Sequence, residues 1–321
     1  MISVSIKFSR TCLMVAVVAI VSVLVITCMP VTARAGMVGL ILPKDCAFNP
    51  DAKDKFSSYL RASGIKDVDV LLQRPGSDKV SRLNSMRKFL AIGADLIVVW
   101  GGTSIKEIAG EAGKTPIVFI GAWDPVKSGI VKDLAKPGRN VTGVMGKTSM
   151  PYLIDNIVES TGIKSMGVVY RSQVVDSMAQ YDEIQSIAAG KGLDLLSVDL
   201  AKMSYEEAAT ALQPAPFLYL AQGCVVESGV YAALAEMNKP AATQNPGVTG
   251  SGVIFTLAPD MEETIKVVSD ITVRILKGEK PGDIPVARIK KVNFIINMGE
   301  ARRLGVKIPF GVLNRGTEII R

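Results

Sequence analysis

The stretch DLIVVWGGTSIKEIAG, Asp95 to Gly110, combines a strand, a turn and a helix. The continuous apolar run from Leu96 to Trp100 is typical of a strand that is buried on both faces of a parallel sheet. Two glycines follow it, and Thr103 begins a pattern that predicts a helix to Gly110. A strand that leads directly into a helix is half of a βαβ unit. The stretch therefore predicts an α/β fold built on a parallel sheet.

The same alternation extends in both directions from this stretch. Before and after it, the patterns predict strands at 37–42, 67–72, 116–120 and 141–144, with helices at 52–63 and 77–91. The order then begins again, with helices at 151–159, 173–189, 205–212 and 228–237 and strands at 165–170, 193–200, 217–221 and 240–243. The recurrence predicts two doubly wound parallel-sheet lobes.

The C-terminal part does not continue either lobe in a simple way. Its patterns predict a strand at 252–257, a long helix at 261–277, a strand at 292–297 and a short helix at 299–304. We interpret it as the chain crossing back to complete both sheets through a hinge of several connections. The predicted lobe 1 is 36–148 plus 251–284, and the predicted lobe 2 is 149–250 plus 285–321.

Residues 1–35 have the layout of a secretory signal peptide. Lys7 and Arg10 precede an uncharged apolar run from Cys12 to Met29, and Ala33-Arg34-Ala35 supplies a cleavage site before Gly36. The alternative is an uncleaved membrane anchor, because the run is just long enough to span a bilayer. Either interpretation places the remaining chain in the periplasm or elsewhere outside the cytoplasm.

Composition excludes several classes of function. The net charge of +7 falls to +4 once residues 1–35 are removed, and no basic stripe alternates with aromatic residues, so no nucleic-acid partner is expected. The chain has no histidine. Histidine-based catalytic triads and histidine-ligated zinc sites are thereby excluded. We expect a non-enzymatic protein without catalytic residues, cofactor or metal.

Cysteine usage leaves two possibilities open. Only Cys46 and Cys224 remain after residues 1–35. They either form one disulfide, in a compartment that permits it, or stay as two free thiols.

The segment KPGRNVTGVMGKTS, residues 136–149, ends in a Gly-Lys-Thr that resembles a phosphate-binding loop. Such a loop needs a glycine five residues before Gly146, and Val141 stands there. Nucleotide binding is therefore not expected. Pro137-Gly138 indicates a turn in a connection between the lobes.

Both tryptophans follow predicted strands of the first lobe. Trp100 ends the strand at 95–100, and Trp123 follows the strand at 116–120. Ligands of open parallel sheets bind beyond the carboxyl ends of the strands. Both indoles are therefore candidates for an apolar wall of a ligand site, with ordinary packing as the alternative.

The residues after Trp100 are candidates to hold an anion. Thr103 is predicted to be the N-cap of the following helix. Gly102 permits close backbone approach, and the hydroxyls of Thr103 and Ser104 lie at the helix start, where a ligand carboxylate is stabilised. The alternative is a helix cap alone.

Further candidates lie at other strand ends. Tyr170 and Arg171 follow one strand of the second lobe, and Gln222 follows another. Arg171 is a candidate clamp for an anion, with a solvated loop charge as the alternative. Asp124 and Asp260 are candidates to receive a ligand amine, although capping of the next helix is the favoured role of Asp260.

Three segments together resemble the substrate-binding proteins of one ABC transporter family, a branch of the type I periplasmic binding proteins that includes aromatic-amino-acid binders. They are PIVFIGAWDPV with KPGRNVTGV, residues 116–126 and 136–144; the segment 252–278 with Ala258-Pro259-Asp260 and ILKG; and 284–309 with NFIINM and LGVKIP. The resemblance extends over the whole chain after residue 35.

The resemblance implies two α/β lobes, a small ligand in the cleft, hinge closure, and delivery of the ligand to a membrane permease by a monomer. The chain departs from the family pattern where Gly101 to Ser104 replace Gly-Thr-Pro-Ala and where Trp123 is inserted. These differences concern the ligand, for which an amino acid or related carboxylate with an apolar body is our expectation. The alternatives are a membrane-tethered sensor and a secreted enzyme that works without histidine.

Overall fold

The computed structural model describes residues 36–44, 46, 51–221, 223, 228–245 and 250–321. These residues belong to one compact unit that runs from Gly36 to Arg321. They form two mostly parallel β-sheets with helices packed on both faces of each, so the predicted fold class of two α/β lobes is confirmed.

The secondary structure follows the predicted alternation closely. The strands of the described residues are β1 Gly36–Ile41, β2 Val68–Gln73, β3 Leu96–Trp100, β4 Ile117–Ala122, β5 Val141–Met145, β6 Ser165–Tyr170, β7 Asp194–Asp199, β8 Leu218–Leu220, β9 Ala241–Thr243, β10 Val253–Pro259, β11 Ala287–Arg288, β12 Val292–Asn297 and β13 Glu318–Ile320. The α-helices are α1 Ala52–Ala62, α2 Lys79–Ala91, α3 Gly102–Ile108, α4 Met150–Thr161, α5 Val175–Lys191, α6 Tyr205–Ala211, α7 Ser228–Met237, α8 Met261–Leu276, α9 Met298–Arg303 and α10 Phe310–Leu313.

The sheet of lobe 1 has the strand order β11-β5-β4-β3-β1-β2, and all its pairings are parallel. Every residue of β3 is buried, as its apolar run predicts. Leu96, Val98 and Trp100 enter the core cluster shared with α1 and α8. Ile97 and Val99 enter the opposite cluster, with α2 and α3. Alternate side chains thus supply two cores, which explains the continuous run.

The sheet of lobe 2 has the order β13-β12-β10-β9-β8-β6-β7. Its pairings are parallel except for β10 with β12, which is antiparallel. Helices α4 and α5 pack in the core cluster on one face, and α6 and α7 pack on the other. The carboxyl ends of β6, β8, β9 and β10 consequently lie together beside those of lobe 1, where the site is found.

The predicted lobe boundaries in the C-terminal part need correction. Strand β10 lies within 251–284, which the sequence assigned to lobe 1, but it pairs with β9 and β12 in the second sheet. Strand β11 lies within 285–321, assigned to lobe 2, but it pairs with β5 in the first sheet. The chain crosses after Pro259 and again after Arg288. Strand pairing is a long-range interaction that local turn signals do not determine.

Helix α8 still packs into lobe 1, through Ile265 and Val268. Within the described ranges, none of the helices is both long and apolar enough to cross a membrane. The apolar run from Cys12 to Met29 lies outside the described residues.

Candidate functional site

A pocket of about 90 Å³ lies where the carboxyl ends of the two sheets face each other. Trp100 ends β3, Trp123 follows β4, and Pro259 ends β10. This is the crevice in which open parallel sheets bind ligands. The described residues that line the pocket are Cys46, Trp100, Ile120, Gly121, Trp123, Met145, Gly146, Asp176, Gln180, Gly223, Gln244, Asn245, Pro259, Met261 and Thr264.

The lining is largely apolar with a few polar groups. Two indoles, an isoleucine, two methionines and a proline form most of the wall, and the polar side chains are Gln180, Gln244, Asn245 and Thr264. Asp176 is the one charged side chain among the described lining residues. An apolar cavity with few convergent polar groups is typical of a small-molecule site.

Asp176 lies in the first turn of α5, in lobe 2, and only 4% of it is exposed. Its carboxylate reaches across the cleft to two backbone amides of lobe 1. Oδ2 accepts a hydrogen bond from the Gly102 amide at 2.8 Å, and Oδ1 accepts one from the Trp123 amide at 2.9 Å. One side chain thus connects the ends of β3 and β4 to the second lobe.

Gly102 is required for this close approach. A Cβ atom at Gly102 would lie 2.2 Å from Asp176 Oδ1, far inside van der Waals contact. The absence of a side chain lets the carboxylate lie directly against the start of α3. The sequence predicted that Gly102 lets an anion approach the backbone closely. In the structure, that anion is the carboxylate of Asp176.

Burial changes the acidity of Asp176. Removal from water raises the pKa of this carboxyl to about 6, and hydrogen bonds from the Trp123, Gly102 and Thr103 amides oppose the rise. The carboxylate is therefore predominantly ionised at neutral pH. The pocket wall then carries one negative charge.

Further polar contacts join α5 to lobe 1. The Val175 amide donates to Thr103 Oγ1 at 3.0 Å. Trp123 Nε1 donates to Glu183 Oε2 at 3.0 Å, and Lys147 Nζ lies 2.7 Å from the same oxygen. Lys127 pairs with Asp182. The two lobes therefore meet directly along one face of α5, and the cleft is closed on that side.

The two tryptophans line the pocket from different cores. Trp100 is 8% exposed and belongs to the core of lobe 1. Trp123 is 3% exposed and, although it follows a lobe 1 strand, packs in the core cluster of lobe 2. The Lys147 ammonium lies 5.9 Å from the centre of the Trp123 ring. Trp123 therefore both lines the pocket and links the lobes.

The prediction that Thr103 caps α3 is wrong. The helix begins one residue earlier, with Gly101 as the N-cap at φ 91°, a conformation that favours glycine. Thr103 consequently lies inside the first turn, where its hydroxyl accepts from α5. Ser104 is buried in the same turn. Neither residue is part of the pocket lining.

The two remaining acidic candidates have local partners. Asp260 caps α8, because Oδ1 accepts from the Glu263 amide at 2.9 Å, and Oδ2 lies 2.9 Å from Lys291 Nζ. The favoured interpretation of Asp260 as a cap is confirmed. Asp124 Oδ1 accepts from the Lys127 amide at 2.9 Å in a local turn. Neither carboxylate belongs to the pocket lining.

The lobe 2 candidates lie outside the pocket lining or beyond the described residues. Tyr170 stacks on Tyr181, with ring centres 3.8 Å apart. The Arg171 guanidinium donates to the Leu200 carbonyl at 2.8 Å. Gln222 lies outside the described residues.

Cys46 is disulfide-bonded, which excludes the alternative of a free thiol at this position. The chain's other cysteines, including Cys224, lie outside the described residues. The described residues contain no group of three metal-ligating side chains.

Sequence analysis missed Asp176, Gln180, Gln244 and Asn245. Gln244 and Asn245 directly follow β9, so the rule that identified the tryptophans also points to them. Asp176 lies six residues beyond Tyr170, the end of β6, inside a helix. Acidic residues are common in first helical turns, because they interact favourably with the helix dipole. The position of Asp176 in the sequence therefore does not distinguish it as a pocket residue.

Comparison with known proteins agrees with the fold. The model of the family described as ABC transporter substrate binding protein matches residues 51–320. A tyrosine-binding protein of Clostridioides difficile (strain R20291) is 25% identical over 265 residues, which cover 80% of this chain and 77% of that protein.

Solved structures with the same fold cover 89% of this chain and 99% of their own. A conserved domain protein from Vibrio cholerae has a TM-score of 0.80 at 22% identity. The ABC domain from Streptococcus pneumonia in complex with L-Trp has a TM-score of 0.79 at 23% identity. The ligand-free, open structure of a substrate-binding protein with adhesive properties from Clostridium difficile has a TM-score of 0.66 at 24% identity.

The family match extends over most of the chain and contains every described strand except β1 and every described pocket residue except Cys46. Its members are substrate-binding proteins and not enzymes, in agreement with the expectation drawn from the missing histidines. The chain belongs to the family of ABC transporter substrate-binding proteins.

Proposed function

We propose that this protein is the extracytoplasmic binding component of an ABC importer, which closes its two lobes over a small ligand with an aromatic or apolar body. The observation that carries the proposal is the pocket at the carboxyl ends of both sheets, walled by Trp100 and Trp123. Residues from both lobes contribute to it, so the ligand contacts both when the lobes close.

The relatives support an aromatic ligand. The similar curated protein binds tyrosine, and one structural neighbour holds L-Trp. In the present pocket, indole and methionine side chains offer flat and adaptable apolar surface. Gln180, Gln244 and Asn245 supply amide groups that can orient a polar end. An amino acid or a related molecule with an aromatic body fits this combination.

The closed pocket is small for such a ligand. An engineered cavity of about 150 Å³ in a protein interior binds benzene, and this pocket measures about 90 Å³. We therefore expect the lobes to separate when the ligand enters. The chain crosses between the lobes near 145–150, 259–261 and 288–292, and we assign the hinge to these connections.

The proposal includes an exported protein that works with a membrane permease. Residues 1–35 supply the export signal, and cleavage before Gly36 releases the two-lobed unit. Retention of the segment from Cys12 to Met29 would instead leave the binding unit tethered to the membrane. Mass spectrometry of the N terminus of the protein isolated from its native host distinguishes the two.

Intrinsic tryptophan fluorescence tests the binding function. The purified protein is titrated with phenylalanine, tyrosine and their amine and carboxylate analogues, with excitation where tyrosine does not absorb. We expect a saturable change in emission, because both tryptophans line the pocket. Each of the variants Trp100→Phe and Trp123→Phe retains one indole. The variant that loses the emission change identifies the tryptophan that reports ligand binding.

Two negative results together contradict the proposal. They are a flat emission signal for every ligand and an unchanged thermal unfolding temperature with the same panel. A ligand that binds the folded state raises that temperature whether or not it alters fluorescence.

A further inference from the structure

We propose that Asp176 determines the charge of the ligand: its carboxylate excludes ligand carboxylates from the end of the pocket formed by Gly102 and Trp123, and selects a protonated amine. The inference rests on the proposed function and names the ligand class within it. That class is an aromatic amine without a carboxylate.

The backbone donors that an anion would need at this end of the pocket are already bonded. The amides of Gly102 and Trp123, at the carboxyl ends of β3 and β4, are both bonded to Asp176. No lysine or arginine is among the described residues that line the pocket. A ligand carboxylate at this end would meet a negative charge and amides that are already bonded, which is an unfavourable environment for an anion.

Asp176 is held in place by both lobes. Its carboxylate spans the two lobes and is almost fully buried. The missing side chain of Gly102 provides the space that it fills, and a Cβ atom at Gly223 would lie 3.7 Å from its Oδ2. The neighbouring Val175 amide is anchored to Thr103. In the closed state that holds the ligand, displacing the carboxylate would break contacts at both of its oxygens.

The Asp176 carboxylate retains the capacity to accept a further hydrogen bond. Each carboxylate oxygen has two acceptor positions. The amides of Gly102, Trp123 and Thr103 use three of these four positions, one position remains for a ligand, and the group lines the pocket. A ligand ammonium supplies the complementary charge and donors. A charge-assisted hydrogen bond of this kind is strong when it is shielded from water.

The apolar wall of the pocket favours a flat body for the ligand. Trp100 and Trp123 form the wall next to Asp176, and Met145, Pro259 and Met261 complete it. A flat ring with an amine on a short chain places apolar surface against the indoles and its cation against the carboxylate. Tryptamine and tyramine are the simplest molecules of this class.

Isothermal titration calorimetry with three molecules that share one ring tests the inference. Tryptamine carries only the amine, tryptophan carries both charges, and indole-3-acetate carries only the carboxylate. We expect tryptamine to bind at least about ten-fold more tightly than tryptophan, because no lysine or arginine among the described lining residues can pair with the ligand carboxylate. We expect indole-3-acetate to bind weakest.

Matched variants assign the preference to Asp176. Asp176→Asn keeps the shape and removes the charge, and we expect the preference for tryptamine over indole-3-acetate to shrink by about ten-fold or more, the value of one charge-assisted hydrogen bond. Asp270→Asn removes the same charge from an exposed position of α8 outside the pocket, and we expect it to retain the full preference.

The possible failures are distinguishable. Tryptophan or indole-3-acetate binding as tightly as tryptamine overturns the inference and leaves the proposed function standing, since Asp176 would then move aside for a ligand carboxylate. Equal effects of Asp176→Asn and Asp270→Asn also overturn it. No saturable heat with any of the three, from protein shown to be folded by circular dichroism, overturns both the inference and the aromatic cargo. The comparison of ligands on the unaltered protein does not depend on whether Asp176→Asn folds.

Discussion

Helices α3 and α8 both begin at the cleft, and both place an aspartate carboxylate on their first backbone amides, but the two aspartates come from different distances. Asp260 immediately precedes α8 and accepts from Glu263, three residues later. Asp176 belongs to the other lobe and accepts from Gly102, 74 residues away. The local cap stabilises one helix, whereas the distant one joins two lobes. The same hydrogen bond from a helix amide to an aspartate thus stabilises a helix end at Asp260 and holds the two lobes together at Asp176.

The pKa values of the two carboxyl groups are shifted in opposite directions. Burial raises the pKa of Asp176 to about 6. At Asp260 burial acts in the same sense, but hydrogen bonds from Glu263, Lys291 and Asn293 outweigh it and lower the pKa below its usual value. Substitutions at the two positions should therefore differ in how their effects depend on pH.

The largest effect is expected from the titration of Asp176. Its raised pKa means that folding favours the neutral carboxyl, so its stabilisation is complete below about pH 4 and is lost as the pH rises through about 6. The difference from the ordinary pKa corresponds to about 3 kcal/mol. The free energy of unfolding of the wild type minus that of Asp176→Asn should fall by about this amount over that range.

Asp260→Asn serves as a control for which the opposite pH dependence of stability is expected. Because the pKa of Asp260 is lowered, its contribution to stability should be present above the ordinary pKa and lost as the pH falls through the lowered one. Denaturant unfolding at a series of pH values measures both variants. A difference for Asp176→Asn that is independent of pH would show that its carboxyl is not buried.

The next effect is expected from Gly102→Ala. The new methyl group would lie 2.2 Å from Asp176 Oδ1, so the carboxylate or the start of α3 must shift. We expect a loss of about 1–3 kcal/mol in the free energy of unfolding, the usual cost of overpacking. In the matched control Gly110→Ala, the methyl group meets nothing within 4 Å. Equal stability of the two variants would contradict the close contact.

A smaller effect is expected from Asp260→Ala. The substitution removes the cap of the 16-residue helix α8 and its contacts with Lys291 and Asn293. The loss of an N-cap typically costs about 1 kcal/mol. Thermal unfolding should show a lower midpoint for Asp260→Ala than for Asp260→Asn, because asparagine retains the capping oxygen. The reverse order would mean that Asp260 does not act as a cap.

The smallest effect is expected from Lys127→Ala. Lys127 pairs with Asp182 across the lobes, but its side chain is 60% exposed. Exposed ion pairs contribute little, so the free energy of unfolding should change by less than about 0.5 kcal/mol. A loss as large as that of Gly102→Ala would show that closure depends on this surface pair and not on the buried carboxylate.

The sequence predicted those features that depend on neighbouring residues. The apolar run of β3 predicted a strand buried on both faces, and the Asp260 side chain was favoured as a cap. Both patterns are complete within a few residues. The position of the two tryptophans at strand ends predicted the pocket wall, because the fold class determines where strand ends lie.

Features that depend on distant residues were not predicted. The pairing of β10 with β9 and β12 depends on contacts that form only once both lobes exist. The same is true of Asp176, whose acceptor role depends on Gly102 and Trp123 of the other lobe. The reason why residue 102 is a glycine is visible only in the structure, where the Asp176 carboxylate occupies the space of a side chain. The polar groups of the cleft were therefore the least predictable part of the molecule.

Amide hydrogen exchange at Gly102 and Trp123 tests the central claim most directly, since both amides donate to Asp176 across the cleft. We expect slow exchange at both positions in the wild type and fast exchange in Asp176→Ala. The exchange rate of the Glu263 amide, which Asp260 caps locally, should be the same in both proteins. Fast exchange at Gly102 and Trp123 in the wild type, or slow exchange in the variant, would contradict closure of the cleft by this carboxylate.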